Sequence, residues 1–167
     1  YVMVRYTGRK PKSKVQISKD GVETYTYNLN SSGNYEVFPL SEGNGSYTIK
    51  VFENISGNQY SQAFSQTISV QLANELSPFL YPNQFCSYTA SSAAASLADE
   101  LTKNSSDELS KVADIYNWVI NNISYDNDLA ATVTSGYLPD VDTVLAKKKG
   151  ICFDYAAVMT SMLRMED

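Results

Sequence analysis

Gly150-Ile151-Cys152-Phe153-Asp154-Tyr155-Ala156, preceded by Lys147-Lys148-Lys149 and running on to Met162-Leu163-Arg164, is the stretch that decides the C-terminal half of the chain. A glycine two positions before the cysteine permits a tight turn. The apolar spacing that follows is helical, with Tyr155, Ala156, Met159, Met162 and Leu163 along one side. A cysteine at a helix start meets unpaired N–H groups and the positive end of the dipole, and both favour thiolate. Such a nucleophile needs a base, usually histidine, and the chain contains none. The stretch supplies half of an active site.

Residues 150–159 and Met162-Leu163-Arg164 resemble the cysteine motif of the bacterial transglutaminase-like superfamily, roughly G-x-C-x-D-Y-A, an apolar helix, then L-R. Upstream, Ile115-Tyr116-Asn117-Trp118-Val119 with Ile123-Ser124-Tyr125-Asp126 resembles the helix that precedes it in that family. The resemblance covers roughly residues 93 to 164. It implies a papain-like Cys-His-Asp arrangement with Cys152 as nucleophile, no cofactor and no metal, acting on a protein or peptide amide. The histidine and acid are implied on strands after the cysteine helix, so they are expected from polypeptide beyond Asp167. The final Met165-Glu166-Asp167 departs from the family, where a glycine-led turn follows the arginine. A chain without its base is expected to be inactive alone.

Without the surrounding motif, Cys152 would read as a small buried apolar residue at a helix start; the flanking Gly150, Asp154, Tyr155 and Ala156 favour the nucleophile. Asp154 lies in the first helical turn, where the dipole favours a carboxylate, and reads as structural. Trp118 reads as core packing. Two readings stand for Tyr125: a ring closing the helix-to-loop corner, or a phenol supporting an oxyanion, as the family implies. Asp126-Asn127-Asp128 superficially opens a calcium loop, but lacks a glycine at the sixth position and a glutamate at the twelfth. Cys86, after a proline-containing aromatic loop, reads as a small buried apolar residue and not as a disulfide partner of Cys152.

Across the first seventy residues the period is two. Tyr47-Thr48-Ile49-Lys50-Val51-Phe52 and Ser65-Gln66-Thr67-Ile68-Ser69-Val70-Gln71-Leu72 alternate. Val15-Gln16-Ile17 and Thr24 to Leu29 flank Asp20-Gly21 as a hairpin, and turn signals recur at Ser31-Ser32-Gly33-Asn34, Gly43-Asn44-Gly45 and Ser56-Gly57-Asn58. This spacing predicts a small immunoglobulin-like antiparallel β-sandwich over residues 1–72. Residues 73–92 carry Pro78, Pro82, Phe79, Tyr81 and Phe85 and read as a packed aromatic connector. From residue 93 the period is helical. Ala94, Leu97, Ala98 and Leu101 share a face, Ser105 and Glu108 form a capping box, and Leu109, Val112, Ile115, Tyr116, Val119, Ile120 and Ile123 trace a long stripe. A short helix from Val141 to Ala146 is expected to end on Gly150 as a left-handed cap. The fold class is α+β: an immunoglobulin-like sandwich, then residues 93–167 as the helical part of a transglutaminase-like domain without its C-terminal sheet.

The 167 residues, 43% of them hydrophobic, suffice for one ordinary domain or two small ones. Net charge −5 argues against a nucleic-acid partner. Lys147-Lys149 reads as the solvated end of a short helix. No apolar run is long enough to span a membrane. The N-terminus lacks the basic and apolar regions of a signal peptide, so an exported form would have lost its signal. Thirteen tyrosines among many Ser, Asn and Thr give the texture of an extracellular or cell-surface protein. Two functions follow: the front half of a cysteine hydrolase or acyltransferase, or a surface binding or adhesion module that keeps the fold without the chemistry. Loss of the sheet that covers Ala156, Met159 and Leu163 predicts a homodimer through the helical half.

Overall fold

Val15 and Ile17 point to one side of their strand, and the hairpin they begin forms half of the larger sheet. Strand β2 (Ser13–Lys19) and strand β3 (Val22–Leu29) are joined through Asp20 and Gly21, both left-handed with φ of 50° and 87°. Two successive positive φ values are what the right-handed twist of a tight hairpin asks for. Strand β5 (Gly45–Ser56) pairs with β2, and strand β6 (Gln59–Val70) pairs with β5, giving an antiparallel sheet in the order β3-β2-β5-β6. Strand β1 (Val2–Arg5) and strand β4 (Tyr35–Phe38) form a separate two-stranded antiparallel sheet.

The computed structural model describes residues 1–166 and separates into two compact units, Tyr1–Phe79 and the chain from Leu80 onward. In the first unit the register sets Val15 opposite Val51, Ile17 opposite Ile49 and Val15 opposite Tyr27. All five are buried on one face, together with Tyr47 and Leu29. Phe38 of β4 covers that face, its ring 5.0 Å from that of Tyr27. Tyr6, just after β1, donates its hydroxyl to Glu53 of β5 at 2.6 Å. The unit is a β-sandwich of unequal sheets.

The second unit is helical. Helix α1 (Ser77–Leu80) leads into it, followed by α2 (Ala93–Thr102), α3 (Glu108–Asn122), α4 (Asn127–Thr132), α5 (Val141–Lys147) and α6 (Cys152–Met165). Two short strands, β7 (Ser124–Tyr125) and β8 (Lys149–Gly150), pair in parallel. Its core gathers Ala94 and Ala98 of α2, Ile115 and Val119 of α3, Val141, Val144 and Leu145 of α5, and Ala157, Val158 and Met162 of α6. Each large member, such as Met162 or Ile115, contributes roughly 1.5–3 kcal/mol relative to exposure. The alanines of α2 let α6 approach closely. Trp118 packs on this core, as its position beside the stripe predicts. No helix among the described residues is long and apolar enough to cross a membrane.

Several expectations change. The cap of α3 is Asp107, whose carboxylate accepts from Ser110 N–H at 2.8 Å; Ser105 instead donates to Asp114. A carboxylate outcompetes a hydroxyl two residues away as acceptor at a positive helix end. The stripe on α3 is wider than its contact: Ile115, Val119 and Ile123 are buried, while Leu109, Val112, Tyr116 and Ile120 are exposed. Helix α5 ends on Lys148, not Gly150, in the left-handed conformation, with φ 51° and ψ 38°. Of the connector rings Phe79, Tyr81 and Phe85, the first two are exposed, 48% and 52%, and Phe85 is partly buried. On α6, Met159 and Leu163 pack partly against the core while Ala156 is exposed.

Candidate active site

Cys152 is the first residue of α6, and it is exposed. As the first helical residue, its N–H and the next two have no carbonyl one turn earlier to bond, so they are available to an incoming oxyanion. Three sets of contacts position this helix start.

The first is Asp154, which is fully buried. Its Oδ2 accepts the Ile151 N–H at 2.8 Å, and its Oδ1 accepts the Tyr137 hydroxyl at 2.7 Å. This confirms a structural role for Asp154 and explains Gly150. A Cβ at position 150 would stand 2.7 Å from the Asp154 Cβ and 2.9 Å from its Oδ2. The glycine is needed for close approach and not for a left-handed turn. Burial, reinforced by the bond to Asp154, pushes Tyr137 up to about 12. Tyr137 carries no sequence signal of this task; it lies in the loop between α4 and α5, next to Gly136, whose φ is 92°.

The second is the ladder of β7 on β8. Ser124 donates its N–H to Lys148 O and Asp126 donates to Gly150 O, each at 2.9 Å. This register sets Tyr125 beside Gly150, two residues from the cysteine, with its side chain 48% exposed. Its ring lies 6.5 Å from that of Tyr155, whose hydroxyl donates to Ile123 O. The two sequence-predicted site residues thus come to the same end of α6. Asp126 caps α4 through Leu129 N–H and pairs with Lys149 at 3.0 Å. Those partners hold the Asp126 carboxyl below its ordinary range, Leu129 foremost, and hold Lys149 above its own. Of the three lysines, Lys149 is thus an ion-pair partner, which the solvated-end reading did not foresee.

The third is a group of rings. Phe153 lies 6.0 Å from Phe85 and 6.5 Å from Tyr137. Behind it Cys86 is buried, its sulfur 3.1 Å from Ser161 Oγ, and burial pushes its thiol up. Both cysteines are free. One is therefore a core residue and the other faces solvent at a helix N-terminus. Asp167 lies outside the described residues.

Residues 95–167 match the profile of the transglutaminase-like superfamily. Among solved structures, the chain is similar to a protein from Cytophaga hutchinsonii that carries the provisional description of cysteine protease. The identity is 15% and the TM-score 0.45, over 98% of this chain and 61% of that one. The chain thus spans less than two thirds of that protein. No curated protein matches significantly.

Proposed function

Because residues 95–167 belong to the transglutaminase-like superfamily, we propose that the chain carries the nucleophile half of a cysteine enzyme acting on protein or peptide amides. The observation that carries this reading is an exposed Cys152 at the first position of a helix whose start is clamped by a buried carboxylate. The sulfur adds to the amide carbonyl carbon, and N–H groups at the start of α6 hold the oxyanion. Collapse of the adduct breaks the C–N bond, and the leaving amine takes a proton from an acid; water or a second amine then attacks the thioester. Tyr125, beside Gly150, is our candidate for a further oxyanion donor.

Protonating the leaving amine needs a general acid, usually histidine, and the chain has no histidine. Asp126 and Asp154 are both engaged in structural hydrogen bonds. The acid and base therefore belong to polypeptide outside these residues, and the chain alone is alkylated without turning over. Treatment of the folded chain with iodoacetamide should modify Cys152 and spare Cys86. Amide hydrolysis or amine incorporation by the purified chain, abolished in Cys152→Ala, overturns the claim of inactivity. Failure of Cys152 to label under native conditions overturns the nucleophile.

The lack of histidine also favours a second reading: a surface binding or adhesion module, with an immunoglobulin-like sandwich as the binding part. The Tyr-, Ser- and Asn-rich composition supports an extracellular or cell-surface setting for either reading.

A further inference from the structure

The two sheets of the N-terminal unit differ in width, and the mismatch leaves a slot one strand wide. Their stacking can be followed strand by strand. Tyr27 of β3 meets Phe38 of β4, and Tyr6 at the end of β1 reaches Glu53 of β5. The next position on the free side of β1 therefore lies over β6, where no strand stands among the described residues. The uncovered floor shows it: Phe64 pairs in register with Val51, yet Phe64 is 52% exposed and Val51 only 7%. The groove has a volume of about 460 Å³; Val2, Val4, Val51, Phe64 and Ile68 line it, with the polar Gln66 set between Phe64 and Ile68 on its floor.

Both rims of this groove are strand edges with no neighbouring strand among the described residues: the edge of β1 away from β4 and the edge of β6 away from β5. Strand β6 runs twelve residues, Gln59–Val70, without a charged residue or a proline, and the one feature of the kind that protects sheet edges is the bulge that shifts its register between Gln62 and Phe64. A slot with main-chain donors and acceptors on one wall and apolar side chains on its floor fits an extended backbone. Its charge is also specified: Arg9, Lys10 and Lys12 are exposed just past the far end of β1, and none has an ion pair among the described residues.

We propose that this slot binds an extended segment of a partner polypeptide, added antiparallel to β1 as the third strand of the small sheet. Its alternate apolar residues face β6, and an acidic N-terminal end meets Arg9, Lys10 and Lys12. Antiparallel pairing of two copies through their β1 edges does not fit, because β6 reaches past β1 in each copy and the two β6 strands would overlap. The inference rests on the sandwich alone and is independent of the chemistry at Cys152.

The test uses the full 167-residue chain and a fluorescein-labelled peptide, Glu-Glu-Val-Thr-Val-Thr-Val, with fluorescence anisotropy. Saturable binding is expected. It should weaken roughly tenfold or more in Phe64→Lys, which alters a half-exposed side chain and leaves the core intact. A peptide N-methylated at alternate residues, so that its backbone cannot pair, should not bind. Binding unchanged by Phe64→Lys or by N-methylation overturns the proposal, as does absence of binding at millimolar peptide. A dimer in sedimentation that Phe64→Lys dissolves assigns the slot to a second copy and overturns it too.

Discussion

Replacing Gly150 with alanine probes the clamp beneath Cys152. The new Cβ would sit 2.7 Å from the Asp154 Cβ and 2.9 Å from its Oδ2, where ordinary contact begins at 3.4 Å. The first of these atoms hangs directly on the backbone of α6, so rotating a side chain cannot relieve it. The helix start must therefore move, and the carboxylate leaves Tyr137 or Ile151 as it does. Overpacking of this kind costs about 1–3 kcal/mol, and a lost hydrogen bond to a buried charge about 1.5–3 kcal/mol. With one of the two bonds lost, we expect destabilisation of about 2.5–6 kcal/mol, a large part of the roughly 5–15 kcal/mol typical of a domain. Urea unfolding followed by Trp118 fluorescence measures it, because the single tryptophan lies on α3 and reports the helical unit alone. Tyr137→Phe removes one of the same bonds and should cost about 1.5–3 kcal/mol. The double variant should cost less than the sum, since a bond can be lost only once. A Gly150→Ala cost under about 1 kcal/mol, or strict additivity, would refute the reasoning.

At high pH the same clamp loosens. Tyr137 is raised from 10.0 to about 12 in the folded state, so the unfolded chain releases its proton first. The stabilisation is full below the unfolded value and is lost as pH rises from 10.0 through about 12. The urea midpoint at Trp118 should therefore fall more steeply across that window in the native chain than in Tyr137→Phe; parallel curves would count against it. Lys148 holds a left-handed conformation that suits glycine, so Lys148→Gly should stabilise the helical unit by up to about 1 kcal/mol. Any loss in urea denaturation would contradict this. Finally, sedimentation at micromolar concentration should reveal a dimer through the helical half, weakened by Ile120→Lys at a 47% exposed side chain; a monomer throughout would refute that association.

The strands were legible because their pattern is short-range: Val15, Ile17, Tyr47, Ile49 and Val51 alternate wherever one face is buried. The cysteine helix and the register of its apolar side were legible for the same reason. What escaped depended on choices between near-equal local signals or on distant partners. Ser105-Ser106-Asp107 offers three caps in a row, and the spacing rule favoured the serine while the stronger acceptor took the position. Gly150 carried the ordinary signal of a helix end, but its true constraint is the Asp154 carboxylate, and Lys148 accepted the left-handed turn. Tyr137 could not have been found from its neighbours, because its partner is seventeen positions away. The connector's rings suggested burial by their number, yet a ring is buried only where a partner surface exists. Phe85 meets Phe153, whereas Phe79 and Tyr81 stay exposed.

The pairing of β7 with β8 also bears on how this protein could change. Asp126 and Lys149 are joined side by side by the ladder and an ion pair, so the chain between them leaves and returns at one point beside the cysteine. Its second part is committed, through Tyr137 to Asp154 and through Val141, Val144 and Leu145 to the core. Its first part, from Asn127 to Gly136, is not: none of the residues of α4 is fully buried. Doubling a flexible loop costs only about 0.6 kcal/mol in closure entropy. Length and sequence can therefore vary there as in an interchangeable cassette, while the sulfur itself stays where the clamp holds it.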